Sequence, residues 1–209
     1  AMISLDAAQS GVETALRAAF GAFGYREVMT PVLEFAEVID RAQEGGLRDA
    51  FRLFDAEGRV LVLRPDITIP IARLVATRMA DHPGPVRVSY VARVFRPPAP
   101  GRPRASEQRQ AGVELVGEGG PGGDAETIAL LVQSLRATGL AGLRVGVGDV
   151  SLTRAVIDGF GIGPSERAAL NGALAARNFV EWRRLARAAR PDGTAADLLR
   201  DLPSPRGGR

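Results

Sequence analysis

The most informative part of this sequence is a pair of stretches, VRVSYVARVF at residues 86–95 and RQAGVELVG at residues 109–117. Apolar and polar residues alternate in both, and this alternation predicts two β-strands. The segment between them is rich in proline and arginine and is predicted to be a loop. The two strands are therefore expected to form a hairpin.

One face of the second strand is unusual for the middle of a sheet. Side chains two residues apart share a face, so Gln110, Gly112 and Glu114 lie together. A glycine there lets a ligand approach the backbone closely, and the Glu114 carboxylate and the Gln110 amide suit an ammonium group. The alternative is a strand whose polar face meets solvent, and these residues by themselves leave both interpretations open.

Two further segments carry candidate binding residues. In LRPDIT, residues 63–68, apolar sequence runs directly into a predicted helix. Asp66 and Thr68 therefore either cap that helix or place a carboxylate and a hydroxyl beside the sheet. Arg96, at the end of the first strand, suits a phosphate or a carboxylate. The alternative for Arg96 is a solvated basic loop.

The remaining pattern predicts an α+β fold, with antiparallel strands covered by helices and a helical last third. Further strands are predicted at residues 28–35, interrupted by Pro31, in a hairpin at 51–63, and as a short buried strand at 143–147. Helices are predicted at 6–23, with Asp6 and Gln9 at capping-box spacing, from Asp66, at 124–138 with Asp124 as its cap, and at 149–160, 165–177, 178–190 and 194–201. A flexible glycine-rich connector is predicted at 118–123 and a frayed tail at 203–209. We expect a core domain over residues 1–160 and a helical segment over 161–209.

Composition excludes several kinds of site. The chain has no cysteine and no lysine, and His82 is its only histidine. These absences exclude thiol catalysis, cysteine or multi-histidine zinc sites, histidine-based triads, the P-loop lysine and Schiff-base chemistry. We therefore predict neither a metal nor a cofactor, and we expect His82 in a solvated turn after a helix.

Charge and hydropathy indicate neither a membrane nor a nucleic acid as partner. The 27 arginines are offset by 24 acidic residues, for a net charge of +3. The sequence pI of about 10.4 is therefore weak support for nucleic-acid binding. No apolar run approaches the length of about 18 residues that a membrane span needs, and the N-terminus lacks the features of a signal peptide. We expect a cytoplasmic protein.

Four segments carry a resemblance to a known family: FGYREVMTPVLE at 23–34, LRPDIT at 63–68 followed by Ala72-Arg73, Phe95-Arg96 with Gly101, Arg102, Arg104 and QAGVELVG at 110–117, and GDAE at 123–126. In this order they resemble motif 1, the Leu-Arg-Pro-Glu-x-Thr segment, motif 2 and a helix start of class II aminoacyl-tRNA synthetases in their histidyl form. Asp66 stands in place of the family's glutamate. The resemblance covers residues 5–160. It implies a class II synthetase-like antiparallel sheet flanked by helices and incomplete at its C-terminal end.

The resemblance also implies roles for individual residues. In the family, the carboxylate after Arg-Pro, the nearby threonine, and the Gln and Glu of motif 2 hold the amino group of histidine. Here this implies Asp66, Thr68, Gln110 and Glu114. The motif 2 arginine, Arg96 here, is implied at the acyl and α-phosphate region of the ligand.

The departures from the family concern the activation of ATP. Active synthetases carry Glu-Arg-Pro soon after the motif 2 Phe-Arg, where this sequence has PPAP at 97–100, and the aromatic residue that stacks on adenine is replaced by Gln108 or a neighbour. The family's second histidine motif, its motif 3 and its anticodon-binding domain are not found. ATP activation needs an arginine at each end of the triphosphate, and Arg96 is the one candidate. We predict no catalytic residues.

The sequence resembles most specifically the synthetase-like regulatory subunits that pair with the short form of ATP phosphoribosyltransferase. This implies a non-catalytic subunit in histidine biosynthesis, which activates the short catalytic subunit, senses histidine and forms a homodimer or a hetero-oligomer. One alternative is a histidyl-tRNA synthetase fragment. Another is a tRNA-binding paralogue, suggested by the arginines of residues 96–109 and 183–190, although a solvated helix face is the simpler explanation of the second group.

Overall fold

The computed structural model describes residues 2–42, 47, 50–98, 105–159 and 161–189 of the 209-residue chain, and they form an α+β fold. The helices are α1 (Met2–Ala22), α2 (Ala36–Ala42), α3 (Thr68–Arg78), α4 (Pro121–Ala137), α5 (Val150–Gly159), α6 (Pro164–Ala175) and α7 (Phe179–Ala189). The strands are β1 (Arg26–Glu27), β2 (Leu33–Phe35), β3 (Arg52–Phe54), β4 (Val60–Leu63), β5 (Val86–Phe95) and β6 (Glu107–Val116). Residue contacts divide the chain into two compact units, 1–144 and 145–209. Within the described ranges, no helix is both long and apolar enough to cross a membrane.

The predicted hairpin is the centre of the first unit. β5 and β6 pair in antiparallel orientation along their whole length, from Val86 opposite Val116 to Phe95 opposite Glu107. β1 pairs with the other edge of β5 and runs parallel to it. This three-stranded sheet therefore has one parallel pairing beside the antiparallel pairing that was expected.

Strand alternation gives this sheet two different faces. On one face, α3 packs its buried side chains against β5, in a cluster formed by Ile67, Ile71, Val75, Val86, Val88, Tyr90 and Val94. On the other face lies a cluster of Phe20, Tyr25 and Leu130, with Val113 and Leu115 of β6 packed against it. Because residues directly opposite each other share a face, Gln110, Gly112 and Glu114 lie on the side that α3 covers.

A second, smaller sheet has the strand order β2-β4-β3, with both pairings antiparallel. The predicted hairpin at residues 51–63 is confirmed, and its turn is held by Asp55, whose Oδ1 accepts hydrogen bonds from the backbone N–H groups of Glu57 and Arg59. Gly58 completes the turn with a φ of 79°, which favours glycine. Of the segment predicted as one strand at 28–35, only residues 33–35 form a strand, β2. β1 ends just before this segment, and Pro31 lies between the two strands, which belong to different sheets.

Several other predictions need correction at helix ends. α1 begins at Met2, so Asp6 is not its cap. α4 begins at Pro121, a residue well suited to a first helical turn because it has no N–H to leave unpaired. Asp124 therefore lies inside the helix instead of capping it, and residues 121–123 are not a flexible connector. The cap residue is Gly120.

The prediction of a buried strand at residues 143–147 is wrong. Val145 and Val147 are 44% and 74% exposed, and no strand is assigned to this segment. A strand needs a neighbour for its backbone groups, and the described residues offer none here.

The second unit, described by itself, contains α5, α6 and α7. Its core is formed by Ile157, Ile162, Leu170, Ala173, Trp182 and Ala186. Because Ile157 of α5 belongs to this core, contacts divide the chain earlier than the predicted boundary at residue 160. The predicted helix at 194–201 and the tail at 203–209 lie outside the described residues.

Arg64, between β4 and α3, is a charged side chain that is only 5% exposed. Its Nε donates a hydrogen bond to the backbone carbonyl of Arg93 at 2.9 Å, and its Nη1 donates to the carbonyls of Thr30 and Pro31 at 2.5 and 3.1 Å. Burial lowers the pKa of Arg64, and these oxygens compensate the lost hydration. The side chain thereby holds the end of β4 against β5 and the segment before β2.

We expect Arg64→Met to lower the free energy of unfolding by about 2–4 kcal/mol, because three carbonyl oxygens lose a charged donor. Methionine keeps much of the apolar stem, so the loss reports mainly on the hydrogen bonds. Urea unfolding followed by circular dichroism measures the change. Arg26→Met is the control, since Arg26 is exposed on the edge strand β1; equal losses in the two variants would contradict the assignment.

On the other face of the hairpin, Glu126 joins α4 to β5 and to Tyr25, which lies between α1 and β1. Its carboxylate accepts two hydrogen bonds from Arg87 of β5, at 2.8 and 2.7 Å, and one from the hydroxyl of Tyr25, at 2.9 Å. The bonds from Arg87, followed by the one from Tyr25, hold the pKa of Glu126 at about 2. Burial raises the pKa of Tyr25 to about 12, so its hydroxyl keeps the proton that it donates.

These bonds give Glu126 a pH-dependent contribution to stability. Because folding lowers its pKa from 4.5, the contribution is complete above about pH 4.5 and is lost as the pH falls through about 2. We expect Glu126→Gln to lower the urea midpoint at pH 7 and to lose less stability than the wild type between these pH values. Urea midpoints across that range provide the measurement.

The matched control for Glu126 is Glu37→Gln, because the ion pair that Glu37 forms with Arg41, at 3.7 Å, is exposed. Its urea midpoint should change little at any pH. If the urea midpoint of the wild type fell with decreasing pH no more steeply than that of Glu126→Gln, this network would contribute nothing to the loss of stability in acid.

Candidate functional site

The first contact at the candidate site joins the start of α3 to β6. Thr68, the first residue of α3, donates a hydrogen bond from Oγ1 to Glu114 Oε1 at 2.8 Å. Glu114 lies opposite Val88 in the ladder, on the face that α3 covers. Two residues that the sequence separates widely are therefore in direct contact, as the prediction of a common site requires.

Asp66 lies just before α3 and is half-buried. Its Oδ1 accepts a hydrogen bond from the backbone N–H of Ile69 at 3.2 Å, so it does stabilise the first turn of the helix. It also acts on its neighbour, since burial raises the pKa of Glu114 and the negative charge of Asp66 raises it further. Asp66 therefore holds the first turn of α3, whose cap residue is Ile67, and also acts electrostatically on Glu114.

Tyr90 of β5 occupies the space above Gly112. A Cβ added at Gly112 would lie 2.6 Å from Tyr90 Cζ and even closer to the hydroxyl, a distance that real Cβ atoms do not show. The glycine at this position therefore makes room for a tyrosine of the same sheet, where the sequence suggested room for a ligand. The two residues are directly opposite each other in the ladder.

Gln110 contacts the same tyrosine. Its Nε2 donates a hydrogen bond to the Tyr90 hydroxyl at 3.3 Å, while its Oε1 is buried and has no hydrogen-bond partner within the described part of the chain. Gln110, Gly112 and Glu114 are all half-buried, which does not fit a fully solvated strand face. Sequence reasoning missed Tyr90, because in the strand pattern it resembles an ordinary core residue. The strand register, which places Tyr90 opposite Gly112, is the observation that identifies it.

The resulting arrangement is rich in acceptors. Burial, followed by the charge of Asp66, raises the pKa of Glu114, and the hydrogen bond from Thr68 partly lowers it again. A partly buried carboxylate with a second carboxylate nearby is stabilised by a cation. The arrangement can therefore receive a group with several N–H donors and a positive charge.

Arg96 is placed beside this cluster. Its Nε donates a hydrogen bond to the carbonyl of Pro65 at 2.7 Å, and its backbone N–H donates to the backbone carbonyl of Ser106 at 2.8 Å. The arginine thereby holds the residue that precedes Asp66. The structure brings Asp66, Thr68, Gln110 and Glu114 together and sets Arg96 at the strand end next to them.

Other places in the described residues fit a ligand less well. A cleft of about 580 Å³ lies between α1 and the far ends of β5 and β6, and its charged lining residues, Glu13, Arg93, Glu107 and Arg109, are all in ion pairs. No group of three or more His, Asp or Glu residues that could hold a metal ion is present in the ranges described. His82 is exposed in the turn after α3, as predicted.

Comparisons with known proteins agree with this geometry. The model of the histidyl-tRNA synthetase family matches residues 6–209. The chain is 44% identical over 182 residues to the ATP phosphoribosyltransferase regulatory subunit of Symbiobacterium thermophilum, covering 86% of this chain and 46% of the relative. It is 41% identical over 204 residues to that of Moorella thermoacetica, covering 97% of this chain and 52% of the relative.

The fold is also that of a solved structure. The crystal structure of an ATP phosphoribosyltransferase regulatory subunit/histidyl-tRNA synthetase from Bacillus halodurans superimposes with a TM-score of 0.81 at 30% identity, over 93% of this chain and 50% of that chain. The chain thus spans about half the length of the curated relatives it matches. Its sequence and its class II synthetase-like fold show that the chain belongs to the histidyl-tRNA synthetase family and is similar, within it, to ATP phosphoribosyltransferase regulatory subunits.

Proposed function

We propose that this chain acts in a regulatory subunit of ATP phosphoribosyltransferase in histidine biosynthesis, without catalytic activity of its own. In this proposal it binds and activates the short catalytic subunit, and histidine is the effector. The names of the relatives from Symbiobacterium thermophilum and Moorella thermoacetica support the regulatory role. The observation that carries the effector is the acceptor cluster formed by Asp66, Thr68, Gln110 and Glu114.

The chemistry of the cluster fits the amino group of an amino acid. An ammonium group has three N–H donors and no acceptor. Glu114 offers carboxylate oxygens, Asp66 a nearby negative charge, and Gln110 a buried oxygen with no partner in the described residues. Removing an ammonium from water is costly unless each donor is satisfied, and charge-assisted bonds to carboxylates supply most of the compensation.

The position of the cluster suggests how histidine is sensed. The ligand would contact both the start of α3, through Thr68, and β6, through Glu114. Arg96, bonded to the Pro65 carbonyl, is placed to meet the carboxylate of the ligand. Binding would stabilise one arrangement of the segment 64–68 against the sheet, and a partner that prefers the other arrangement would sense this as a coupling of about 1–3 kcal/mol.

The direct test is to add the chain to the short catalytic subunit and to assay ATP phosphoribosyltransferase with and without millimolar histidine. We expect activation by the chain and reversal of this activation by histidine. Glu114→Gln should keep the activation and weaken the histidine effect by about tenfold or more, since a carboxylate bond to the ammonium is worth about 1.5–3 kcal/mol.

The control is Glu118→Gln, because Glu118 is an exposed acid just beyond β6. Its histidine response should equal that of the wild type. Absence of activation together with absence of co-elution would overturn the regulatory function; activation with an identical histidine response in Glu114→Gln would overturn the assignment of the effector site alone.

A stability measurement separates a binding role of Glu114 from a structural role. Because folding raises its pKa, Glu114 destabilises the folded protein in its charged form, an effect that is absent below the unfolded pKa and appears as the pH rises through the folded one. We therefore expect Glu114→Gln, without ligand at pH 7, to have a urea midpoint equal to or above that of the wild type. A clear loss of stability would mean that Glu114 serves the fold.

A further inference from the structure

The hydrogen bonds around Tyr90 have a direction that the donors and acceptors fix. Thr68 has one hydroxyl proton and donates it to Glu114 at 2.8 Å. Burial raises the pKa of Tyr90, and the negative charge of Glu114 raises it further, so the phenol keeps its proton. Gln110 Nε2 lies 3.3 Å from the Tyr90 hydroxyl, and because an amide N–H can only donate, the tyrosine oxygen accepts this bond.

This direction determines which end of the Gln110 amide contacts Tyr90. The amide nitrogen, Nε2, donates to the tyrosine at 3.3 Å, and the amide oxygen is therefore at the opposite end. That oxygen is buried and has no partner in the described residues. If the amide were reversed, it would place two N–H donors where Oε1 now stands, and a cation would be repelled there.

Tyr90 can take this position because of Gly112. Any side chain at that residue would collide with the tyrosine ring and hydroxyl. In the ladder, Tyr90 lies opposite Gly112 and Ala92 lies opposite Gln110. The Tyr90 hydroxyl and the Gln110 amide are therefore neighbours on the same face of the sheet. The orientation of Gln110 is thus built into the β5–β6 hairpin.

We infer that Tyr90 is a positioning residue that fixes the Gln110 amide with its oxygen toward the ligand, and that it thereby makes the cluster selective for a ligand that carries an ammonium group. The inference rests on the proposed function for the identity of the ligand. Its physical basis is that Asp66, Glu114 and the Gln110 oxygen all accept hydrogen bonds. A ligand of the same shape without the ammonium leaves this set of acceptors without donors.

The test is calorimetric titration of the full chain with L-histidine and with 3-(imidazol-4-yl)propionate, which lacks the amino group. The wild type should prefer histidine. In Tyr90→Phe, which keeps the ring, the dissociation constant for histidine should rise about tenfold and the preference should shrink by a similar factor, as expected for a loss of about 1.4 kcal/mol. Tyr25→Phe is the matched control: it is the other tyrosine of the chain, its hydroxyl is bonded to Glu126 on the opposite face, and it should leave both affinities unchanged.

Two further measurements separate positioning from a general structural role. Tyr90→Phe combined with Gln110→Leu should bind histidine no more weakly than Gln110→Leu alone, because Tyr90 acts through Gln110. In the ligand-free protein, the side-chain amide resonances of Gln110 should show slower proton exchange in the wild type than in Tyr90→Phe. Additive losses in the double variant, or equal exchange in the two proteins, overturn the inference.

The outcomes also distinguish this inference from the proposed function. Histidine binding that Tyr90→Phe leaves unchanged overturns the role of Tyr90 and leaves the regulatory function standing. The expected loss of affinity in calorimetry, without any effect of histidine on phosphoribosyltransferase activity, supports the role of Tyr90 and overturns histidine regulation. No binding of histidine at millimolar concentration overturns the ligand assignment in both.

Discussion

A guanidinium group buried among backbone carbonyl oxygens is the interaction on which the candidate site depends. Arg64 bonds to Thr30 and Pro31 on one side and to Arg93 of β5 on the other, and its own carbonyl accepts from the N–H of Phe95. These bonds fix the end of β4 over the hairpin. The next residues, 65–68, then fall on the face that carries Gln110 and Glu114. A lysine could not replace Arg64. The nitrogens of the planar guanidinium point in different directions and contact carbonyl oxygens on two sides, whereas a lysine has a single ammonium nitrogen.

Two glutamates near this hairpin differ in environment: Glu126 serves the fold, and Glu114 belongs to the proposed binding site. Glu126 receives hydrogen bonds from Arg87 and Tyr25, and its pKa lies at about 2. Burial raises the pKa of Glu114, the second carboxylate of Asp66 raises it further, and the one hydroxyl bond from Thr68 compensates only in part. The first glutamate has its cation within the fold. Within the described residues the second is hydrogen-bonded only to the Thr68 hydroxyl, an arrangement that fits the proposed binding site.

The sequence predicted what depends on local pattern. β5, the core of α3 and the turn at Asp55 follow from alternation, helical spacing and turn chemistry. Strand alternation also placed Gln110 and Glu114 on one face, and the helix start singled out Asp66 and Thr68, whereas a common site for the four residues was implied by the family resemblance. The strand expected at 143–147 did not form, because an apolar run becomes a strand only beside another strand. The start of α4 was missed because its glycines suggested a loop, although Pro121 favours a first helical turn.

The role of Tyr90 could not be predicted for a related reason. It depends on which residue of β6 lies opposite, and the loop between the strands leaves that register open in the sequence. The hydrophobic pattern of VRVSYVARVF accounts for Tyr90 as a core residue, as it does for Val88 and Val94. Only the ladder shows that the ring meets a glycine, and only then does its hydroxyl become a partner for Gln110.

The geometry also indicates why the histidyl-tRNA synthetase family can include regulatory subunits as well as synthetases. Recognition of an ammonium group needs acceptors at fixed distances, and residues 63–114 supply all those identified here. Activation of an amino acid by ATP requires, in addition, positive charge that stabilises the transferring phosphates in the transition state. Here the Arg96 Nε donates to the Pro65 carbonyl and so serves to position the segment that carries Asp66. A regulator needs only that its ligand bind one arrangement of the protein better than another, and a cluster that couples the start of a helix to the middle of a sheet meets that requirement without any catalytic group.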